Sequence, residues 1–536
     1  MSVAEVVLRN LFRDSIQLMR LSEDVKKLDG VADAVVAMGT ETNRHLLQDL
    51  GLLGKESRSA GDGDLIIAVR PSEGADAAEV MGRVQHLVMA PPAGAKGQRT
   101  TVFHSVKTAV DRVGRANLAI VSVPGGQAFD PTMELLRNGV NVHLFSDHVP
   151  LDQEIKLKSY ASSHGLLVLG PGAGTSIING VGLGFANSVR RGDVGIVASA
   201  GTGIQEVSTM LDSIGLGVSA ALGVGGTDVR EEVGGLMMRD CLSLLEEDES
   251  TRTIMIVAKT PKEKVIKEIM AHAKRETTKP LVACFLGLDT PSAEGGRIRY
   301  AKTLHSAVYR AASIAGGEAE EAFRTRIGSS FEELSKVSQR VASGLAPSQR
   351  FVRGLYSGGT LAHETLLIFR ELVGEPYSNT PLTDEFALRD PNASRENSVV
   401  DLGDESFTAG RAHPMIDPTL RKLRIAQESR DAGLAAVLLD IVLGYGSASD
   451  PGGALLGAIG EARVSSRRRG GEIAFMAHVC GTDSDPQPLA EQCDRLSKAG
   501  VLLFPSNALL SAAAALIVGG EAASKRLIKK WGELLG

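Results

Sequence analysis

From Asp193 to Glu206 the chain reads Asp-Val-Gly-Ile-Val-Ala-Ser-Ala-Gly-Thr-Gly-Ile-Gln-Glu. An apolar run of strand length ends in a glycine turn and passes straight into a helix start. This stretch therefore builds a β-loop-α unit whose first-turn N–H groups are free for an anion. Glycine follows apolar runs elsewhere too: 60 of the 536 residues are glycine, gathered behind strand-like segments and not spread as a repeat. That placement is the one expected of βα loops in an α/β protein with parallel, doubly wound sheets.

The chain is longer than the roughly 250–300 residues at which a single core stops growing, so three or four domains are expected. A net charge of −6 and an aromatic content of 4% leave no basic, aromatic-interleaved face for nucleic acid and no patch for a membrane surface. Small anions and partner proteins, with a homo-oligomer among the expectations, fit better. Cys241, Cys284, Cys480 and Cys493 form no C-x-x-C pair, which argues against a disulfide framework or a cysteine metal site. The opening Met-Ser-Val-Ala-Glu lacks a signal-peptide pattern, and Ala508 to Val518 is shorter than the roughly 20 residues needed to span a bilayer. A cytoplasmic location is the expectation.

Periodicity predicts four regions. Residues 1–95 form a small α/β module, with strands at Ala34–Met38 and Leu65–Val69 and helices at Leu21–Leu28, Asn43–Leu50 and Ala77–Val88. A Pro- and Gly-rich linker follows over 90–98. Residues 100–190 carry short β runs at Leu118–Val123, Val142–Phe145 and Leu166–Leu169, spaced as in a Rossmann-like domain. Residues 191–345, with strands at Val194–Val197, Ile254–Val257 and Leu281–Phe285, and residues 346–536, with strands near Val399–Leu402, Ala436–Val442, Ile473–Ala477 and Val501–Phe504, read as two related flavodoxin-like domains.

Two glycine loops stand out as phosphate cradles. The first is Ser199, Gly201, Thr202 and Gly203; the second is Gly444, Gly446, Ser447 and Ser449, behind the strongest apolar run of the C-terminal half. Further candidate ligand loops are Gly170, Gly174 and Thr175, and Gly225 and Gly226. Taken singly, each is equally a turn that any doubly wound domain needs. No Walker motif and no complete G-x-G-x-x-G with a ribose-binding acid is present. Lys259 closes a strand where a ligand crevice is expected, although lysines are mostly solvated. His413 and Asp417 sit in the proline-bounded Arg411–Pro418 loop, which is either a site or a stiff connector. His363-Glu364, on the helix after Ser357-Gly-Gly-Thr, is a candidate supporting pair, and no cluster of metal ligands accompanies it.

In this order along the chain, Leu118–Pro124, Gly170-Pro171, Asp193–Glu206, Gly223–Gly226 and Lys279-Pro280 resemble the α subunit of succinyl-CoA synthetase. Val400 to Ile517 resembles the ligase domain of its β subunit fused behind. The longer motifs Met38-Gly-Thr-x-x-Asn, Phe145-Ser-Asp-x-Val-Pro, Ile178-Asn-Gly-Val-x-Leu-Gly-Phe-Ala-Asn, His413-Pro-Met-Ile-Asp-Pro, Gly481-Thr-x-x-Asp-Pro-Gln and Pro505-Ser-Asn are similar to the FdrA family.

The resemblance implies a Rossmann-like CoA-binding-type domain followed by two ligase-type domains. It also implies a role as a subunit of oxamate carbamoyltransferase, handling phosphate or carbamoyl phosphate and a small acid or amide, in allantoin degradation. Where the synthetases carry their phosphohistidine, this chain has Arg299-Tyr300-Ala301-Lys302, and where they carry the supporting glutamate it has Lys259. These departures, and Gly172-Ala173 after Gly170-Pro171, leave CoA binding in 100–190 open. No cofactor is required by the sequence. On this reading Lys259, Tyr300, His413 and Asp417 are the catalytic candidates. The competing readings are an NDP-forming acyl-CoA synthetase subunit, with His305 as an alternative carrier, and a non-catalytic scaffold.

Overall fold

The computed structural model describes residues 3–11, 15–89, 103, 105–114, 116–259, 262–288, 296–408 and 411–536; the linker expected at 90–98 lies outside them. The chain forms two compact units, Met1–Phe103 with Leu402–Thr419, and His104–Asp401 with Leu420–Gly536.

The first unit is a three-stranded antiparallel sheet with Leu65–Pro71 in the middle, flanked by Ala4–Leu8 and Val31–Met38. Strand alternation sorts its central residues to two faces. Leu65, Ile67 and Val69 pack with Leu18 and Val25 of the helix Ser15–Lys26 and with Val80, Val84 and Val88 of the helix Ala77–Met89. Ile66 and Ala68 face Leu47 of the helix Glu41–Asp49, together with Leu52 and Ala60. Burial on both faces explains why this strand reads as a continuous apolar run.

The second unit contains three sheets. A small parallel sheet is formed by Leu118–Val121, Asn141–Leu144 and Val168–Leu169. A seven-stranded sheet has the order Ile298–Ala301, Leu281–Leu286, Thr253–Lys259, Arg191–Ala198, Val218–Gly223, Thr175–Ile178, Val181–Gly184, in which Thr175–Ile178 alone runs antiparallel to the rest. A five-stranded parallel sheet has the order Ser398–Asp401, Phe351–Tyr356, Leu434–Val442, Ala474–Cys480, Leu502–Phe504. The α/β architecture with parallel sheets is thus the one expected.

Strand parity decides which residues meet. Met255, Val257, Val282, Cys284 and Ala301 belong to the large core shared with the five-stranded sheet, whereas Ile254, Ile256, Leu281 and Ala283 turn to the opposite core, with Tyr300 packed against it. The shared core is built on the helices Gly201–Ser213, Leu304–Ala315, Gly359–Leu372 and Asn507–Leu534.

The last of these corrects an expectation. The apolar stretch Ala508–Val518 is one part of a helix that runs to Leu534 and is kinked at Gly520, whose φ is 52°. By length and composition this helix is apolar enough to cross a membrane, and 67% of its most apolar window is buried inside the protein. Ala508 and Ala512–Ala515 face the core, where small side chains let neighbouring helices approach closely.

Candidate functional site

In a parallel sheet, a crevice opens where consecutive connections leave one strand in opposite directions. Arg191–Ala198 is such a strand, with Val218–Gly223 on one side and Thr253–Lys259 on the other. Phe351–Tyr356 is another, between Ser398–Asp401 and Leu434–Val442. Each runs through a two-residue turn into a helix, Gly201–Ser213 and Gly359–Leu372, and neither helix has a side-chain cap at its N-terminus.

The two N-termini abut. A Cβ placed on Gly358 would lie 2.5 Å from Thr202 Cγ2 and 3.1 Å from its Oγ1, and one on Gly203 would lie 3.3 Å from Thr360 Cγ2. The positive ends of two helix dipoles are therefore held side by side, a geometry that favours an anion between them. Asp440 fixes the second turn: its carboxylate accepts from Ser357 N at 2.8 Å, Ser357 Oγ at 3.0 Å and Gly358 N at 2.6 Å. Arg421 Nη2 in turn donates to Asp440 Oδ1 at 3.0 Å and to Leu355 O at 3.1 Å.

Lys259, at the end of its strand, is 27% exposed and lies 4.0 Å from Asp401 Oδ2. Both reach the second cradle. A side chain on Gly359 would collide with the Asp401 carboxylate and come within 3.1 Å of Lys259 Nζ. One turn further along the same helix, His363 is 3% exposed and its Nε2 has no hydrogen-bond partner. Burial, reinforced by the charges of Lys259 and Arg370, pushes its pKa down to about 3. Ser199 Oγ, at the first cradle, is likewise buried without a partner. Orphaned buried polar atoms are uncommon in folded proteins, and two of those among the described residues lie at this crevice.

The structure brings together Ser199, Gly201, Thr202, Gly203 and Lys259 from the expected set, and places other candidate loops at their edge. A Cβ on Gly201 would lie 3.4 Å from Thr175 Oγ1 and 3.5 Å from Gly174 Cα, and one on Gly226 would lie 3.9 Å from Ser199 O. Gly170 and Gly225 are in mutual contact behind this rim, since a side chain on Gly225 would collide with Pro171 O and come within 3.2 Å of Gly170 Cα. Lys158, fully buried and paired with Glu154 at 2.7 Å and Asp228 at 2.9 Å, anchors the same loop through Val224 O. Its network has no signal in linear spacing beyond one i,i+4 pair.

The helix N-terminus that abuts Ser199–Gly203 is Ser357–Thr360; Gly444–Ser449 is held otherwise. Gly444 N donates to Gln487 Oε1 at 2.9 Å, Tyr445 N donates to Ala186 O at 2.8 Å, and Gly446 abuts the Phe185 ring. Ser447 Oγ donates to Leu443 O at 3.4 Å, and Ser449 is exposed ahead of a helix that starts only at Leu456. This loop fastens the segment around Ala186; it does not form a tight turn into a helix.

Tyr300 pairs in register with Ala283, in the body of its strand, and packs against the core opposite the first cradle helix. Partial burial raises its phenol pKa. His413 and Asp417 belong to the other compact unit. There Asp417 Oδ1 accepts from Thr419 N at 2.9 Å and Oγ1 at 2.6 Å, and His413 Nδ1 accepts from Met415 N at 3.3 Å. His305 is buried with Nδ1 2.8 Å from Ser506 Oγ, and burial lowers its pKa to about 4.

A polar cluster missed from the sequence ties the two larger sheets together beneath the cradles. His478 Nε2 lies 2.7 Å from Glu206 Oε2, and Asn507 Nδ2 donates to Glu364 Oε2 at 2.8 Å. Burial alone would depress the His478 pKa, but Glu206 outweighs it and the net direction is upward. Burial raises Glu364 to about 7.

The fold and site thus define an α/β protein in which two uncapped helix N-termini, each at the switch strand of its sheet, meet at one crevice. The CoA-ligase family model matches residues 355–517, and residues 1–102 match the AllF heavy metal-associated domain. The uncharacterized protein YahF of Escherichia coli is 39% identical over 512 residues, covering 95% of this chain and 97% of YahF. The succinate–CoA ligase [ADP-forming] subunit alpha 2 of Archaeoglobus fulgidus is 30% identical, covering 35% of this chain and 65% of that subunit. The ADP-forming sulfoacetate-CoA ligase subunit SauD of Bilophila wadsworthia is also 30% identical, covering 37% and 68%. The chain belongs to the family of YahF and carries a CoA-ligase-type domain over residues 355–517.

These relatives correct the expected enzyme class. The matching subunits are CoA ligases and the matching family model is a CoA ligase, so the carbamoyltransferase assignment does not stand. The heavy-metal name of the N-terminal model does not fit the residues present. Residues 1–102 contain no cysteine and only two histidines, His45 and His86. These are exposed on helices that pack on opposite faces of the sheet. Among the described residues no group of three potential ligands occurs.

Proposed function

We propose that this chain is a subunit of an NDP-forming acyl-CoA synthetase-type enzyme, and that its crevice holds the phosphate exchanged for CoA at an acyl group. The carrying observation is the pair of abutting, uncapped helix N-termini with Lys259 beside them. The reaction is acyl-CoA plus phosphate giving acyl phosphate plus CoA. A phosphate oxygen attacks the thioester carbonyl, the C–S bond breaks as the C–O bond forms, and the proton of hydrogen phosphate passes to the departing thiolate. The cradle amides and the Lys259 ammonium bind the phosphate and fix it with one oxygen free to attack, so their contribution is positioning of the nucleophile. No phosphohistidine is needed, in keeping with Tyr300 at the carrier position and His305 buried against Ser506. Phosphorylation by ATP falls to a partner subunit. The succinate and sulfoacetate ligases among the relatives point to acyl groups with a second anionic end.

The test is phosphate-dependent release of free thiol from succinyl-CoA and sulfoacetyl-CoA by the chain with its co-purified partner. Lys259→Met should lower the rate by about 100-fold, the scale of misplacing a bound reactant. Thiol release that ignores both phosphate and Lys259 refutes the reading.

A further inference from the structure

The groups around Lys259 are not all hydrogen-bond donors. Asp401, 6% exposed, puts a carboxylate oxygen at the start of the second cradle helix, where a Cβ on Gly359 would collide with it. His363 lies four residues beyond Gly359, hence on the same helix face, and its Nε2 is buried and unpartnered. That nitrogen lies 3.7 Å from where a Cβ on Gly287 would be. Gly287 follows Leu286, which is in register with Lys259, so His363 is aimed at the ends of the same two strands. Its depressed pKa keeps the imidazole neutral at pH 7, able to accept as well as donate.

Resting on the phosphate reading above, we propose that this crevice selects a tetrahedral oxyanion that still carries a proton, hydrogen phosphate or a protonated phosphoryl group, and rejects the fully ionised sulfate of the same size. Lys259 and the cradle amides satisfy the bare oxygens. Asp401 and His363 face the remaining oxygen as acceptors. Hydrogen phosphate offers them an O–H, whereas sulfate offers only a lone pair against a carboxylate. A site built to bind a hydroxyl rejects the analogue lacking it far more strongly than shape alone would.

The experiment is calorimetric titration of the full chain at pH 7 with sodium phosphate and, separately, sodium sulfate. Phosphate is expected to bind about 100-fold more tightly than sulfate, the scale of one hydrogen bond to a charged group made or not made. Asp401→Asn replaces the carboxylate with an amide that can donate, so sulfate affinity should rise and the ratio fall to about 10-fold or less. A gain in affinity cannot come from misfolding. His363→Leu should weaken phosphate more than sulfate, and His363→Gln should restore much of the difference. Equal binding of the two anions by the unaltered chain overturns the selectivity alone. Binding of neither overturns the phosphate reading and this inference with it.

Discussion

Thr202 occupies the space that a Cβ on Gly358 would need: its Cγ2 would lie only 2.5 Å away. Two helices from two different sheets thus meet at their N-termini, and the meeting depends on a glycine whose own backbone is ordinary, with φ −103°.

Gly358→Ala should therefore fold but push the cradles apart. Besides Thr202, the new methyl would come within 3.0 Å of Asp440 Oδ2, the carboxylate that fixes the turn. Overpacking of this kind costs about 1–3 kcal/mol. A lowered melting temperature with phosphate affinity reduced at least about 10-fold is the expected result. Gly457→Ala, which meets nothing within 4 Å in its helix, is the control and should be neutral or slightly stabilising.

Tyr300→Phe should leave phosphate-dependent thiol release within about 3-fold of the unaltered chain, less than the tenfold that 1.4 kcal/mol represents. The phenol lies on the sheet face opposite the first cradle helix, whatever its alignment with the phosphohistidine of the synthetases.

Much of the fold was legible because burial on both faces writes itself as apolar runs; Ile254–Val257 and Ala436–Val442 are strands. The decisive strand, Phe351–Tyr356, was not legible. Its run is broken by Arg353 and Gly354, and the buried Arg353 is explained only by distant partners, Glu428 at 3.1 Å and Asp431 at 2.7 Å. The strongest run, Leu434–Val442, is the one whose trailing glycines read as a cradle, although Phe351–Tyr356 is the switch strand of that sheet. The first cradle was readable because strand, turn and helix are contiguous. What opposes it lies about 150 residues further on, set by sheet topology that linear spacing does not encode.

Acid should destabilise the protein through buried histidines. His143 has its pKa pushed down by burial from 6.5 to about 4, the backbone of Ala173 opposing the shift only in part. His305 and His363 are depressed by burial as well. The unfolded chain takes up these protons first, so the stability they contribute is full above pH 6.5 and lost as pH falls towards 4. His143 alone accounts for about 3 kcal/mol of that loss. Thermal melts of His143→Leu between pH 7 and 4.5 should show a shallower acid limb; an unchanged limb counts against burial as the cause.

Copper(I) or zinc titrated into the chain should find no stoichiometric high-affinity site in residues 1–102, because the soft thiolate donors are absent and His45 and His86 sit on helices at opposite faces of the sheet. Tight, one-to-one binding abolished by His45→Ala would contradict this.

The most direct measurement is a crystal structure of the chain grown or soaked with phosphate. The account predicts a phosphate ion between the amides of Gly201–Gly203 and those of Gly358–Thr360, within hydrogen-bond reach of Lys259 Nζ. Phosphate density at the Gly444–Ser449 loop instead, or none between the two helix N-termini at saturating phosphate, would contradict it.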